Sequence, residues 1–520
     1  MVLLSALMAC GGADPAMPSL ELPAASCEDP ELRDTLGPFE RIEMPPGPAT
    51  GTRFPVAAPA PGMGLAVDDF DGDGRLDVYL PTWYGHDQLL LQQEDGGFVD
   101  GTAALGLAGS AKEPSEGALA ADVTGDGHTD LVVLNRGTAN VLYVADGLGG
   151  FEAPYVLRSA AENSVGAAAA DYDGDGLLDL LIANRDEYDF EGKVADDNVL
   201  LVGVHGGFSD SSALLPMPEQ EEFTFVAALT DLDGDGIVDV YIANDHGNTA
   251  QPNRFLRGGP AGLVDVSVET NTGVAISAMG LGLGDLNGDG RPDLVMSNWG
   301  PLVLLESLDD GTYYESQQAR GLEHPIPDGE HYVTWGIDFA DIDNDGDLDV
   351  PVAAGTLAWD INDNRNPADQ PDALFVQEEG LFVDMGPAYG FDDPREGRGL
   401  AVTDLDQDGW LDIIVRYLDA PAVRWMGRCG DAGWLQVVLD DSQTANRRGV
   451  GSRVEIEADG VSQVRWLQAG GHSVSLSVPP MAHFGLGDAM VVDVLTVHWP
   501  DGGQTVLEDV PARQRVVVER

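Results

Sequence analysis

Residues 69–77 read DFDGDGRLD, and the same nine-residue phrase recurs six more times. It begins again at Asp122 (DVTGDGHTD), Asp171 (DYDGDGLLD), Asp231 (DLDGDGIVD), Asp285 (DLNGDGRPD), Asp341 (DIDNDGDLD) and Asp404 (DLDQDGWLD). The intervals are 53, 49, 60, 54, 56 and 63 residues. Self-similarity at such a period is the mark of a repeat architecture. A glycine stands five residues ahead of the first aspartate in six copies (Gly64, Gly117, Gly166, Gly280, Gly336 and Gly399), and Val226 takes its place in the fourth. A run of small residues leads into the phrase, as in ALAAD at 118–122 and AAAAD at 167–171. An apolar run follows it: LVV at 131–133, LLI at 180–182, VYI at 240–242, IIV at 413–415. A third short run (NVLLV at 198–202, NRFLR at 253–257) and a fourth opened by Gly and an aromatic or leucine (GGFVD, GGFSD, AGLVD) complete each unit. Four short strands per unit, seven times over, predict an all-β chain: a seven-bladed β-propeller across 39–428. The small-residue strand belongs innermost, where blades converge and bulky side chains would collide.

The phrase has the chemistry of a hard-cation loop. Oxygen-bearing side chains occupy position 1 (Asp69, Asp122, Asp171, Asp231, Asp285, Asp341, Asp404) and position 3 (Asp71, Thr124, Asp173, Asp233, Asn287, Asp343, Asp406). They also occupy position 5 (Asp73, Asp126, Asp175, Asp235, Asp289, Asp345, Asp408) and position 9 (Asp77, Asp130, Asp179, Asp239, Asp293, Asp349, Asp412). The position-7 carbonyls, of Arg75, His128, Leu177, Ile237, Arg291, Asp347 and Trp410, are placed to join them. Position 6 is glycine in all seven copies, where a tight loop must turn. All-oxygen ligation without His or Cys selects Ca²⁺ over zinc or copper, at up to seven sites. An EF-hand is excluded, because position 12 holds Leu80, Val133, Ile182, Ile242, Met296, Val352 and Val415 where that motif needs a bidentate Glu. Thr124 makes the second loop the weakest of the set.

Working outward, the 520 residues carry 26 Lys+Arg against 89 Asp+Glu, a formal net charge of −63. That field repels phosphate backbones and excludes nucleic acid as a partner. Seven calcium ions would reduce it only to −49. With 43% apolar residues the chain can bury a core. Three cysteines exclude a disulfide-dense scaffold. The chain opens MVLLSALMACGG, which resembles a bacterial lipobox with Cys10 as the lipidated residue, so a membrane is reached only through a lipid anchor. Residues 1–10 then form a lipoprotein-type signal and the Pro/Ala-rich residues 11–38 a tether. Cys27 and Cys429, which flank the propeller, are the pair available for a disulfide in an oxidising compartment.

The loops with their leading glycines resemble FG-GAP/VCBS repeats of the integrin-α type. MGLGLGDLNGDG at 279–290 and TWGIDFADIDNDGDLDV at 334–350 look like bacterial relatives of the cartilage acidic protein family. Such proteins end in an ASPIC/UnbV domain. Residues 434–518 carry its phrases: RRGVGSRVEI at 447–456, QVRWLQAGGHSVS at 463–475, HFGLGD at 483–488 and VHWPDGG at 497–503. Alternating apolar and polar residues there predict a small antiparallel β domain. The spacing of His472, His483 and His498 matches no compact ligand set.

The resemblance implies a secreted or surface-anchored, extracytoplasmic calcium-binding module that recognises or adheres to an extracellular protein or glycan. A secreted polysaccharide-active enzyme and a purely structural surface protein are the alternatives. No G-x-S-x-G, H-E-x-x-H or phosphate-binding loop occurs, so the chain reads as a non-enzyme. Strand direction alternates within a blade, so loops between second and third strands share the face opposite the acidic loops. That face carries Trp83, Tyr84, Tyr188, Phe190, Trp299 and Trp359, the expected ligand anchors. The seventh unit lacks a fourth strand before GWLQVVL, and FERIE at 39–43 is the segment expected to supply it.

Overall fold

The computed structural model describes residues 39–45, 64–82, 86–107, 114–158, 162–185, 196–324, 332–356, 370–418, 420–427, 430–474 and 476–520, with the backbone of 3–5. Seven four-stranded antiparallel units succeed one another along it. The fourth is representative: Thr224–Thr230, Asp239–Asn244, Arg254–Arg257 and Val264–Asp265, each paired to the next. The first strand of each unit is innermost. Ser115–Ala121 and Thr224–Thr230 are buried along their whole length. The inner strand of the first unit, Leu65–Asp68, adjoins those of the second and the seventh, so the array closes into a ring. The chain is an all-β propeller followed by a β domain.

The phased glycine has a steric cause. A Cβ at Gly166 would lie 2.6 Å from the Phe225 carbonyl oxygen, and one at Gly280 2.3 Å from that of Trp335. Each glycine lets an inner strand press against the backbone of the next unit. The ladder slips at the same place, between Ser164 and Gly166 and between Ser115 and Gly117.

At the far end of the inner strands, small polar side chains tie unit to unit. Asn140 Nδ2 donates to Ser164 Oγ (2.7 Å), which donates to Asn184 Oδ1 (2.7 Å). Asn198 Nδ2 donates to Thr224 Oγ1 (2.8 Å), which donates to Asn244 Oδ1 (2.9 Å). The seventh unit is completed from the N-terminus: Glu40–Glu43 runs antiparallel to Val423–Met426. Phe39 is buried beside it against Phe391 and Tyr389.

The C-terminal domain stacks two sheets. Val461–Trp466, Arg453–Ala458, Val491–His498 and Gln504–Pro511 form one, fully antiparallel. In the other, Gly433–Asp440 lies between Ala482–Gly487 and Gln514–Glu519. Here the structure departs from the expected all-antiparallel pairing, because Gly433–Asp440 and Gln514–Glu519 are parallel. They come from opposite ends of the domain, and the rest of it serves as the long crossover a parallel pair requires. Leu3–Ser5 adds a parallel edge strand beside Val517–Glu519.

One segment of this domain leaves it and fills the propeller axis. Ala469 and Gly470 pair with Ala169 and Ala168 of the third inner strand, and Leu476 and Ser477 pair with Leu65 and Ala66 of the first. Ser477 Oγ bonds the backbone of Ala120 in the second (3.1 Å). The Ser473 amide donates to the Leu281 carbonyl in the fifth (2.7 Å), and His472 Nδ1 lies 2.9 Å from Asp338 Oδ2 beside the sixth. Two glycines permit the fit. A Cβ at Gly470 would sit 2.3 Å from the Ala167 carbonyl oxygen, and one at Gly471 3.0 Å from that of Ala227.

Candidate metal centre

Each nine-residue phrase links the first strand of its unit to the second and wraps on its own aspartates. In all seven copies one oxygen of the position-1 carboxylate accepts the amide of the position-6 glycine at 2.8–3.0 Å. Those glycines have φ between 80° and 104°, a left-handed turn that side chains resist. Position 4 is left-handed too, including where it is not glycine: Asn344 and Gln407 both have φ of 61°.

Positions 1, 3 and 9 converge. Ligand atoms of Asp69, Asp71 and Asp77 lie within 4.8 Å of one another, as do those of Asp171, Asp173 and Asp179, and of Asp231, Asp233 and Asp239. Asp341, Asp343 and Asp349 form a fourth such group, and Asp404, Asp406 and Asp412 a fifth. The second and fifth loops hold two carboxylates each at these positions, with Thr124 and Asn287 as the third residue. Position 5 stands outside the groups. Asp73, Asp126, Asp175, Asp235, Asp289, Asp345 and Asp408 each accept the position-7 amide at 2.8–3.0 Å.

Position 9 is buried in every loop, with at most 1% exposure. One oxygen accepts an amide of its own loop and the other an amide in or beside the third strand. For Asp239 these are Leu232 (2.9 Å) and Gly258 (2.6 Å). Burial pushes the carboxyls of Asp77, Asp179, Asp239 and Asp293 up to about 7 against the opposing pull of these amides. Neighbouring aspartates raise them further. Buried oxygens Asp171 Oδ1, Asp341 Oδ1 and Asp343 Oδ1 have no hydrogen-bond donor. Carboxylates that are crowded, desolvated and short of donors fit a hard divalent cation.

The C-terminal domain docks on the face that carries these loops. Arg448 pairs with buried Asp68 (Nη1–Oδ2 2.5 Å) and reaches Thr129. The Asn446 amide donates to the Gly176 carbonyl (3.1 Å). Gln436 Nε2 donates to Asp404 Oδ2 (2.7 Å) and the Gly485 amide to Asp341 Oδ2 (2.9 Å). This interface and the axial segment escape sequence reading, since no local pattern names partners so distant in the chain. The paired glycines at 470–471, the alternation from Ser473 to Ser477 and the Ala-rich inner strands are the signals they leave.

The three histidines take separate partners: His472 with Asp338, His483 with Asn344 Oδ1 (2.7 Å), His498 with Gln504 and Arg453. Of the expected ligand anchors, Trp299 is described. It packs partly buried against the core cluster of the fourth and fifth units. Trp83, Tyr84, Tyr188, Phe190 and Trp359 lie outside the described residues, as do Cys10, Cys27 and Cys429.

Ring and loops together define a class, FG-GAP-like repeats on a propeller. That family's model matches residues 69–133, 122–182, 231–296 and 285–352, and the ASPIC and UnbV model matches 442–520. The chain is thus an FG-GAP-repeat protein with a C-terminal ASPIC and UnbV domain, homologous to cartilage acidic protein 1. The Xenopus tropicalis relative is 28% identical over 280 residues, 51% of this chain and 40% of that protein. The Mus musculus relative is 30% identical over 234 residues (43% and 34%), and the Homo sapiens relative 28% over 230 (43% and 33%). The chain therefore matches less than half the length of these relatives. Among solved structures, an Agrocybe aegerita lectin described as recognising non-reducing terminal N-acetylglucosamine aligns at 15% identity and a TM-score of 0.37, covering 84% of this chain and 98% of that one. Among the described residues no helix is long and apolar enough to cross a membrane.

Proposed function

We propose that the chain is an extracytoplasmic recognition or adhesion module whose propeller is held rigid by calcium. The observation that carries this reading is the repeated convergence of three carboxylates, some with buried oxygens that no protein donor serves. The residues at positions 1, 3 and 9 would hold the ion, with the position-7 carbonyls joining them, and Asn287 contributing an amide oxygen in the fifth loop. Bound calcium supplies compensating charge where each loop concentrates aspartates. Occupation of the axis by residues 469–477 favours recognition over catalysis, since propeller enzymes place their sites at the axis. The loop-bearing face is largely given to the C-terminal domain. The opposite face, to which the described loops 244–252 and 298–301 belong, is the surface offered to an extracellular protein or glycan. Secretion, with or without a lipid on Cys10, fits sites that fill only at extracellular calcium levels.

A ligand that binds only the folded state stabilises it by about 2.7 kcal/mol per site at a hundredfold excess over Kd. Several sites acting together would dominate the stability of the ring. Thermal melts of the purified chain in EGTA and in millimolar calcium test this: a large rise in Tm is expected, and an unchanged Tm overturns the reading. A glycan and protein array probed with the calcium-loaded chain identifies the ligand class.

A further inference from the structure

The acidic loops are unequally covered. In the first, third and fourth the position-1 carboxylate is partly exposed, whereas in the sixth Asp341 is only 2% exposed. The cover is the C-terminal domain. Its strand Ala482–Gly487 lies against the sixth loop, where the Gly485 amide grips Asp341 Oδ2 (2.9 Å) and the Gly487 amide donates to the Asn344 carbonyl (2.9 Å). His483 Nε2 meets Asn344 Oδ1 at 2.7 Å, and Gln463 Nε2 braces the Gly485 carbonyl (2.7 Å). The fit leaves no slack: a Cβ on Gly485 would lie 2.2 Å from Asp341 Oδ2 and 2.5 Å from the Asn344 backbone. Asn344 is fully buried in a left-handed conformation, so the domain recognises one particular shape of this loop. Inside that shape Asp341 Oδ1 and Asp343 Oδ1 are buried without any donor. The seventh loop differs, because its Asp404 Oδ1 accepts the Asp408 amide (3.0 Å) while its Oδ2 accepts from Gln436 Nε2, with Arg515 Nη2 3.7 Å away.

We propose that the sixth loop is an interdomain clasp. A divalent hard cation held by Asp341, Asp343 and Asp349 fixes the loop shape that the C-terminal domain grips, and so locks residues 469–477 into the propeller axis. The inference rests on the calcium reading above and adds a task to one loop. Without the ion, three converging carboxylates repel one another and oppose the gripped shape. With it, ion and domain favour the same conformation, and two binders that favour one conformation strengthen each other reciprocally. The ion under the domain also leaves only after the strand lifts.

The test uses the full chain with calcium as the sole probe. Amide hydrogen exchange across 469–477 is measured in saturating calcium for the unaltered chain, Asp343→Asn and, as a control in an open loop, Asp173→Asn. Asp343→Asn is expected to speed exchange in 469–477 at least tenfold, and Asp173→Asn to leave it unchanged. Equal protection in Asp343→Asn and the unaltered chain, with one fewer ion bound, overturns the clasp. Should Asp343→Asn fail to fold, Gly485→Ala decides. Loss of the slowest phase of calcium release into a chelator supports the proposal, and unchanged release kinetics overturn it. Titration calorimetry separates the two readings, since a chain that takes up no calcium at all overturns the calcium reading instead.

Discussion

Asp239 shows how much one side chain of the repeat is asked to do. It is fully buried, both its oxygens accept backbone amides, and it also belongs to a three-carboxylate group. That it is aspartate in every copy was plain from the sequence. Its role as the bolt between loop and third strand was not, because the amides it accepts are placed by the fold. The same gap holds at position 5, where one oxygen of each carboxylate accepts the position-7 amide, a contact that spacing alone does not give. Burial sets the titration of the ninth position. Its carboxyls move from 3.8 up to about 7 in Asp77, Asp179, Asp239 and Asp293. Between those values the metal-free native chain binds more protons than the unfolded one, so its stability falls as pH rises through that window. Calcium favours the ionised form and opposes the fall. In EGTA the Tm at pH 5 is therefore expected to exceed that at pH 7.5, and in millimolar calcium the order is expected to reverse. Melts at the two pH values with and without the metal check the sign.

At the scale of elements, the strand Glu40–Glu43 was readable because FERIE repeats the Phe-led pattern of other fourth strands and the seventh unit was visibly one strand short. Its anchor is Phe39, packed between Tyr389 and Phe391. Phe39→Ala is expected to cost about 3–5 kcal/mol, as other buried Phe truncations do, and to leave Val423–Met426 as an unprotected edge prone to self-association. Urea unfolding and light scattering measure the two effects. The axial segment was not readable. Ser473 to Ser477 alternate polar and apolar residues like any strand of a half-buried sheet, and nothing in that pattern names partners that lie far away in the sequence, in the inner strands of the ring. Only its glycines hint that something approaches closely. The inner strands, by contrast, were predicted from their alanines, whose smallness makes room for that segment as well as for one another.

For the whole molecule, propeller and C-terminal domain act as one structure. The axis-facing edges of the first and third inner strands are paired to 469–477, and Asp68 is buried beneath Arg448. Cutting the chain after residue 427 would expose those edges, leave Asp68 without its counter-ion and open an alanine-lined bore. Breaking one such buried pair costs about 3–5 kcal/mol, and a loss of that size lowers Tm by about 3–5 °C in a chain this long. The truncated propeller is therefore expected to melt at least that much earlier, in calcium as in EGTA. A truncated chain with the Tm of the full one would show that the ring stands alone.

The pairing of Glu40–Glu43 with Val423–Met426 also bears on the order of biosynthesis. The first strand of the ring to leave the ribosome waits for one of its last, and the axis is filled later still. Blades of local hairpins can form early, but the circle cannot shut from the front, because its seam joins residues separated by nearly the whole propeller. Contacts of such long sequence separation are slow to make. Closure is thus deferred until Val423–Met426 has been made, and the filling of the axis until residues 469–474 and 476–477 have followed.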